Sequence, residues 1–553
     1  MTTTDTPQEV ASTPDQAPAP DQAATPPTWE PESPAKPPSA SLFPPIPPPP
    51  PGFIATRWAG PSYGGGPAAW LAALVGGLAT AIALPLTRPG IGWFLVGLVI
   101  VGTVAHAARY APIPDDRTER LVRAGWAVLA LALLSVGTFL NAYWLHYICA
   151  LGALGCFALA VAGGQSVRAV IFAAATPVLA FFRSIPWLSK GFGAWNRARD
   201  KQTTTSRTGL AIVATVVLLV VFGGLFAWAD AAFAEIVSNA IPDLNFVSIR
   251  NGLLKLIIGG LLTAGAIFVV LAPPDLSGLE RPASRRIGTI ELVLPLGALV
   301  LLFAGFVAVQ MSYLFSKAAP KGHTFSTYAV QGFGQLVVVT LLTLVVIGCA
   351  ARWAPKETPR ERLILRALLG ALVALSLVIV ASAGYRMWLY MNALGWTRER
   401  LFFGAVEIFL GFVFLLVIVA GVRLRAAWFP RAIIASFALM LLGLASVNPE
   451  RYIAEQNINR FEDNRNNPAY LKTFDLGYLQ FLTSDAIGEL VKLPEPYKSC
   501  ALLRIQDDLE NTSEQWYSWN LSRQNAAAEI KKHQIDQDAC SKWNELRARN
   551  ASR

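Results

Sequence analysis

Charged residues are scarce in this chain: they make up 15% of its 553 residues, whereas hydrophobic residues make up 54%. Histidine is also rare, and the four histidines are scattered along the sequence. None of them stands at a metal-ligand spacing from cysteines or carboxylates, so the sequence offers no zinc or haem site. These shortages argue against metal-centred chemistry and favour a protein that is embedded in lipid.

Nucleotide-binding and hydrolase motifs are missing as well. The glycine run at 64–66 is not followed by the Lys-Ser/Thr pair of a phosphate-binding loop, and no GxSxG elbow or HExxH pair occurs. No basic patch is interleaved with aromatic residues, so the net charge of +10 does not indicate nucleic acid. We therefore expect no cofactor, no metal and no nucleic-acid partner.

Long apolar stretches are what the chain has in abundance. The stretch 209–228 carries no charge and is long enough to cross the roughly 30 Å hydrocarbon core as a helix. Eleven such spans are predicted, at 67–87, 91–108, 121–140, 142–163, 209–229, 252–271, 291–315, 335–353, 363–383, 401–422 and 431–447. The predicted fold is therefore all-α, a polytopic transmembrane helical bundle.

The distribution of Lys and Arg predicts the orientation of this bundle. If the N-terminus is cytoplasmic, 22 cations near the spans fall on the cytoplasmic side and 8 on the opposite side. Loops rich in Lys and Arg stay in the cytoplasm. We therefore predict a membrane protein with its N-terminus inside and, because eleven spans is an odd number, its C-terminus outside.

Two segments on the predicted cytoplasmic side are not spans. Residues 1–62 hold 18 of the 38 prolines, which favours a disordered tail; a ligand for proline-binding partners is the alternative. Residues 164–208 mix aromatic residues with Arg168, Arg183 and Lys190. This mixture is typical of a basic helix lying in the membrane interface, with a re-entrant hairpin as the alternative. The segment separates four spans at 67–163 from seven spans at 209–447.

The character of the chain changes at residue 448. Residues 448–553 are polar, mixed in charge and helical in their periodicity, which predicts a small helical domain outside the cell. Cys500 and Cys540 both lie in this domain, where the exported compartment permits oxidation. Their spacing alone leaves open whether they form a disulfide.

Glu407 is the most conspicuous polar residue inside a predicted span. It lies six residues into 401–422, or roughly 9 Å deep at 1.5 Å per residue, where an ionised group is costly. One interpretation is a carboxylate that couples to protons or ions. The other, which the sequence favours, is a buried pair with Arg400 or Arg386 that ties two helix ends together.

Several strings resemble one family of proteins. They are VAVQMSYLF (307–315), TYAVQGFGQL (327–336), YRMWLYMNALGWTRERL (385–401), NPERYIAEQNI (448–458), FDLGYLQFLTSDA (474–486), YSWNLSRQNA (517–526) and WADAAFAEI (228–236). Together they resemble the uncharacterised bacterial polytopic membrane proteins described as domain of unknown function 4153 / 4173. Val330 stands where that family usually has an arginine. The resemblance implies a layout, from about residue 209 to 526, and a location in a bacterial plasma membrane, but no established activity.

The polar residues of these motifs gather at the predicted outer ends of spans or in the outer domain. The predicted outward-facing polar site comprises Asp230, Gln310, Tyr313, Arg386, Tyr390, Thr397, Arg400, Glu407, Asn448, Asp475, Tyr478 and Asp485. One interpretation is a ligand site beneath the outer domain. The other, slightly favoured, is a set of helix caps and docking contacts, since Gly395 permits a turn, Thr397 can cap a helix and Pro449 can begin one.

The sequence indicates a role in transport, or as an envelope assembly or sensing component, without identifying a small-molecule ligand. One alternative is a membrane enzyme acting on a lipid-linked substrate at the outer face, which would need two converging carboxylates such as Asp230 with Asp475 or Asp485. Catalysis is the less favoured interpretation.

A purely structural membrane protein is the other alternative. It would bind another protein through its tail or its outer domain, in addition to the lipid bilayer. This alternative predicts an exposed aromatic patch on the outer domain, formed by Trp516, Tyr517 and Trp519.

Overall fold

The computed structural model describes residues 56–111, 116–199, 246–277, 288–316, 333–355, 357–423, 427–467, 470, 474–511 and 515–551, with single positions between 215 and 230. The long helices are α1 (Pro67–Ala83), α2 (Ile91–Ala108), α3 (Arg117–Phe139), α4 (Tyr143–Ala162), α5 (Val167–Arg199), α6 (Phe246–Leu271), α7 (Thr289–Ser316), α8 (Phe333–Trp353), α9 (Pro359–Leu394), α10 (Arg398–Arg423) and α11 (Phe429–Val447). The helices after residue 448 are α12 (Pro449–Asp463), α13 (Leu476–Gln480), α14 (Ile487–Leu490), α15 (Tyr497–Glu510), α16 (Leu521–Ile530) and α17 (Ala539–Ala551). Short 3-10 turns lie at Ser484–Ala486 and Trp516–Ser518.

The prediction of an all-α, multi-pass membrane protein is confirmed. Ten helices in the described ranges, α2 to α11, are long and apolar enough to cross a membrane, and α1 is apolar but shorter at 17 residues. The described residues contain no β-strand. Apart from single positions, the predicted span 209–229 lies outside the described residues, as does most of the tail at 1–62.

The first helix group consists of α1 to α6 and α11, which share one apolar core. Its tightest contact joins α1 and α6. A Cβ atom on Gly76 would lie 2.0 Å from Oγ1 of Thr263, and one on Gly259 would lie 2.1 Å from Oγ1 of Thr80. Glycine lets the two backbones approach this closely, as is usual where membrane helices pack through small residues.

The second helix group consists of α7 to α10, whose core includes Phe303, Leu372 and Phe414. The two groups meet where α10 packs against α11, and the rings of Phe409 and Phe437 lie 5.4 Å apart there. The first residues of α10 also pack on the core of the first group. α10 therefore contacts both groups.

The C-terminal domain, α12 to α17, has an apolar core of its own. Met387 and Met391 from α9 and Trp396 from the α9–α10 turn are part of that core, so the domain is packed onto the second helix group. Within the domain, Cys500 and Cys540 form a disulfide, a bond that is typical of proteins exposed to an oxidising compartment.

The helices have one end that contacts this domain, which we call the domain end. The turn between α1 and α2, the turn between α3 and α4, and the turn between α9 and α10 all donate backbone N–H groups to it. The donors are Ile91, Asn141 and Trp396. α11 leads directly into α12 at the same end.

The opposite end, which we call the basic end, joins other helix termini. Arg431 at the start of α11 donates to Glu119 at the start of α3 (2.9 Å) and to the carbonyl of Gly164 after α4 (2.6 Å). Arg366 near the start of α9 donates to the carbonyl of Val422 near the end of α10 (3.4 Å). Arg366 and Arg431, two of the cations that the sequence assigns to the cytoplasmic side, therefore lie at this end.

Although α5 is long enough to span a membrane, its path does not connect the two ends. It begins just after Gly164, at the basic end. Further along, Trp187 donates to the carbonyl of Tyr63 and accepts from the N–H of Gly65 (both 2.9 Å), next to the start of α1, which is also at the basic end. A helix rises 1.5 Å per residue, so a crossing helix would have carried Trp187 to the domain end.

α5 and α6 begin at opposite ends of the bundle. α5 lies along the basic end, and α6 begins at the domain end, where Lys255 donates to the carbonyl of Leu84 (2.6 Å). The predicted span 209–229 lies between them in sequence. The location of α5 in the membrane interface stays a prediction, as do the domain boundaries derived from the sequence.

Candidate functional site

A fully buried carboxylate, Glu450, lies where the C-terminal domain meets both helix groups. Asn448 adopts a left-handed conformation (φ 55°) and its side chain accepts from the N–H of Arg451, which caps α12. Pro449 then occupies the first turn, where its missing N–H costs nothing. This local geometry turns the chain sharply at the end of α11 and points Glu450 into the junction.

The two oxygens of Glu450 hold three different parts of the protein. Arg398 at the start of α10 donates from Nε to Oε1 (2.5 Å) and from Nη2 to Oε2 (2.7 Å). Trp144 of α4 donates from Nε1 to Oε1 (2.9 Å), and the N–H of Thr483 in the domain donates to Oε2 (3.1 Å). One carboxylate therefore joins the first helix group, the second helix group and the domain.

A second buried carboxylate, Asp485, binds the turn between α3 and α4. Its oxygens accept from the N–H of Asn141 (2.8 and 3.0 Å) and from Oγ1 of Thr483 (3.0 Å). The side chain of Asn141 in turn donates to Oγ of Ser484 (3.0 Å) and accepts from Nη1 of Arg523 (2.7 Å). Burial raises the pKa of Asp485 from its ordinary 3.8 to about 6.

Asn520 and Arg523 complete this contact. Asn520 donates to the carbonyls of Gly137 (2.8 Å) and Leu140 (2.9 Å), which lie at the C-terminus of α3 and have no partner within that helix. Arg523, which is 1% exposed, donates to the carbonyl of Pro89 (3.1 Å). The domain thereby supplies the hydrogen bonds that the helix ends lack. We call the whole contact between the domain and the helix ends the seam.

The turn between α9 and α10 is held by side chains on both sides of it. Asn457 of α12 accepts from the N–H of Trp396 (2.9 Å) and donates to its carbonyl (2.8 Å). Arg400 donates to the carbonyl of Gly395 (2.5 Å) and to the hydroxyl of Tyr390 (3.1 Å), and its guanidinium stacks 4.2 Å from that ring. Gly395 has φ 94°, which favours glycine.

Three further predicted site residues act as caps or anchors. Thr397 accepts from the N–H of Arg400 (3.4 Å) at the start of α10. Asp475 accepts from the N–H of Tyr478 (2.9 Å) and so caps α13. The hydroxyl of Tyr478 accepts from the N–H of Arg398 (2.7 Å). Together with Asn448, Tyr390 and Arg400, these residues make contacts that fix the domain and its connections.

Glu407 and Gln310 lie elsewhere. Glu407 in α10 is 2% exposed and Gln310 in α7 is 4% exposed, and in the described part of the chain none of their side-chain oxygens or nitrogens has a hydrogen-bond partner. The predicted pair of Glu407 with Arg400 or Arg386 is therefore wrong. Arg400 turns to the exposed end of α9 instead, because the carbonyls there need donors.

The remaining predicted positions are separate from the seam contacts described above. Arg386 is half-buried on α9, and the N–H of Asp230 donates to the carbonyl of Phe226 (2.9 Å). Tyr313 lies near the end of α7, where side chains are outside the described residues.

Among the residues that are described, no cluster of three or more His, Cys, Asp or Glu could hold a metal ion.

The predicted aromatic patch is partly used inside the protein. Trp516 is 59% exposed, but the carbonyl of Trp519 accepts from the N–H of Ile91 (2.9 Å), and Nζ of Lys255 lies 6.0 Å from the ring centroid of Tyr517. A depression of about 560 Å³ opens beside this contact. None of the predicted site residues lines it; its lining residues include Arg88, Asp508, Trp519, Arg523 and Lys531.

The sequence profile of a family described as domain of unknown function 4153 (DUF4153) matches residues 128–493. That range is about two thirds of the chain. The chain belongs to this family. Comparison with curated proteins and with solved structures finds no match. The DUF4153 range contains Trp144, Arg398, Glu450 and Asp485, so the central carboxylates of the seam and these partners lie within the family domain, whereas Arg523 lies outside it.

Sequence reasoning missed Glu450, Arg398, Asn141 and Arg523. A signal for Glu450 was available, because an acidic residue directly after Asn-Pro occupies the first turn of a helix, where a carboxylate is favoured. Nothing in the sequence indicated that Asn141 would bind Asp485, because that contact joins residues far apart in the chain.

Proposed function

We propose that this DUF4153 protein is a structural component of the bacterial cell envelope. Its helices anchor it in the plasma membrane, and its C-terminal domain is held in a fixed position on the outer face, where it presents a binding surface to another envelope component. The observation that carries the proposal is the set of hydrogen bonds that Glu450 accepts. Its carboxylate accepts from α10, from α4 and from the domain at once.

The chemistry of the seam supports a fixed domain. A buried carboxylate is tolerated when a cation and further donors satisfy it, and breaking such a pair leaves an uncompensated charge. Sliding the domain along either helix group would separate Glu450 from Arg398 or Trp144. The residues that could have bound a ligand from outside, such as Asp475 and Tyr478, are occupied by the protein itself.

The enzyme alternative has weaker support, since Asp475 and Asp485 each serve a different structural partner. Two acidic groups that act on one substrate atom need to converge on it with free oxygens. Asp475 caps a helix and Asp485 anchors the turn at Asn141.

The orientation is part of the proposal and is supported by Arg366 and Arg431, which lie at the basic end. We expect a cysteine introduced at Glu462 on the domain to react with an impermeant maleimide in intact spheroplasts. A cysteine introduced at Arg360 should react only after permeabilisation. The reverse pattern would overturn the outward placement of the domain.

We call the domain a fixed platform if it does not move relative to the helices. Cross-linking the domain to the helices tests this directly. Arg88 and Asp508 form an ion pair (2.6 Å) between the first helix group and the domain, and Arg460 donates to the carbonyl of Ala393 (3.0 Å) at the end of α9. The double variants R88C/D508C and A393C/R460C would each be cross-linked with a short bis-maleimide. Single-cysteine variants treated with the same reagent are the matched controls.

The readout is rescue of a strain that lacks the protein, scored by growth under osmotic and detergent stress. A fixed platform predicts that both cross-linked proteins rescue as well as their single-cysteine controls. Loss of rescue on cross-linking, with rescue retained by the controls, would contradict a fixed domain and favour a cycle of movement such as transport or sensing.

A further inference from the structure

The second helix group contains three buried polar side chains whose functional atoms have no hydrogen-bond partner in the described part of the chain. They are Gln310 on α7, Ser382 on α9 and Glu407 on α10. Ser382 and Glu407 each lie in the half of their helix that is nearer to the domain end, because α9 ends there and α10 begins there. An ionisable group buried at such depth in a membrane span is costly unless it is neutral, paired or hydrated.

Glu407 faces α9. α9 and α10 are antiparallel neighbours, and a Cβ atom on Gly411 would lie 3.5 Å from Cγ1 of Val380. Glu407 is one turn earlier on the same face of α10, which places it at the level of Gly384. Among the described residues, a Cβ atom on Gly384 would meet no other atom within 4 Å, so side chains do not fill the space at that position of α9.

No cation at the start of α10 compensates Glu407. Arg398 is bonded to Glu450, and Arg400 is bonded to Tyr390 and the adjacent carbonyls, so both of these cations are held at the domain end. On α9, Arg386 lies about 120° around the helix from the face that carries Val380, given 100° per residue.

The other described neighbours of α10 bring no opposite charge to that depth. On α11, Arg431 is held at the basic end by Glu119. On α8, the basic residue is Arg352 in the last turn, also at the basic end. α12 presents Glu450 and Arg451 at its start, and Arg451 bonds to Glu489 (3.1 Å).

We infer that the Glu407 carboxyl is a proton-binding site inside the second helix group, and that it exchanges its proton with water. The ligand is the proton itself: it binds a carboxylate oxygen to give the neutral acid, and leaves as the carboxylate forms. A neutral acid accounts for a group that is buried without a cation. The inference is independent of the platform function, since the bonds that hold the domain in place do not involve Glu407.

Infrared spectroscopy of the protein reconstituted in ether-linked lipid, which has no ester carbonyl of its own, tests this inference. At pH 8 a protonated carboxylic acid gives a carbonyl stretch that an ionised carboxylate lacks, and Asp485 is ionised at this pH. We expect the band in the wild type, its loss in Glu407→Gln, and its retention in Glu399→Gln, a matched control on the exposed first turn of α10. Transfer to D₂O should shift the band, because an exchanging proton is replaced by deuterium.

Two spectroscopic results would contradict the inference. Absence of the band in the wild type means that Glu407 is ionised and held by an ion or by water. A band that does not shift in D₂O over days means that the acid is permanently sealed from water.

A second experiment replaces the variant if Glu407→Gln does not accumulate. The wild type is labelled with a hydrophobic carbodiimide and the modified residues are identified by peptide mapping. Modification of Glu407 that decreases at high pH supports the site, and an unmodified Glu407 overturns it.

Discussion

Buried carboxylates occur in two regions of this protein with opposite surroundings. At the seam between the C-terminal domain and the helix ends, Glu450 and Asp485 are surrounded by donors from three parts of the chain. Inside the second helix group, Glu407 is equally buried and has no partner among the described residues. The first arrangement is what a permanent contact needs, because several donors hold each carboxylate in place and a movement of the domain would separate it from them.

The second arrangement is what a titrating group needs. A carboxyl without a fixed partner can gain or lose a proton without breaking a contact on which the fold depends. Burial alone therefore does not distinguish a carboxylate that holds a structural contact from one that is free to titrate. The number and geometry of the donors around each carboxylate distinguish the two.

The largest expected effect is at Glu450. Replacing it by alanine leaves Arg398 and Trp144 without their acceptor, so we expect the unfolding free energy to fall by about 3–5 kcal/mol. Thermal unfolding in detergent and the rate of protease cleavage within the domain measure this loss.

Glu462 lies on the same helix and provides the control. Its ion pair with Arg465 is solvent-exposed, with 45% and 58% of the two side chains accessible, and Glu462→Ala should change stability by less than about 0.5 kcal/mol. Equal effects of the two substitutions would remove the distinction between the seam and an ordinary surface.

A smaller effect is expected from the pH dependence of Asp485. Burial raises its pKa to about 6 in the folded protein, against an ordinary 3.8. Between these values the folded state binds more protons than the unfolded state, so the unfolding free energy decreases as the pH rises from about 4 to above 6, by roughly 3 kcal/mol at most. Comparing the stability-pH curves of the wild type and Asp485→Asn isolates this slope, which should be absent in the variant.

A weaker contribution is expected from the ion pair of Arg88 with Asp508. It also joins the domain to the helix ends, but Asp508 is 39% exposed and solvent screens the attraction. Arg88→Ala should therefore cost between about 0.2 and 1 kcal/mol. A loss as large as that of Glu450→Ala in the same unfolding measurement would show that exposure does not rank the contacts of the seam.

The smallest effect is expected at Glu407, despite its burial. If the carboxyl is neutral in the membrane, glutamine has the same shape and charge, and Glu407→Gln should leave the unfolding temperature within error of the wild type. A destabilisation comparable to that of Glu450→Ala would mean that Glu407 holds a structural contact, and the contrast between the two regions would fail.

Much of the fold could be predicted from the sequence because lipid imposes strong constraints on composition. To cross the membrane, a helix must pair its backbone N–H and carbonyl groups internally and contain about 20 mostly apolar residues. The spans and the polar domain after Asn448 could therefore be predicted. The seam was less accessible. Asn448, Thr397 and Gly395 could be assigned as cap and turn residues from local chemistry, whereas the partners of Glu450 depend on which helix ends meet.

Glu407 shows where local reasoning fails. Its distance from Arg400 along α10 suggested an ion pair, but Arg400 is used by the carbonyls at the end of α9 and by Tyr390. Competition for a cation is decided by the nearest acceptors in three dimensions. Spacing along one helix does not reveal those acceptors.

The sequence by itself determined that this is a helical membrane protein with basic loops on one side and a polar helical domain on the other, because hydropathy and charge act through composition along the chain. Tertiary structure alone decided that one glutamate joins both helix groups to the domain, and that another is left without a partner among the described residues. Those properties depend on contacts between residues that are far apart in the chain, and no local pattern encodes them.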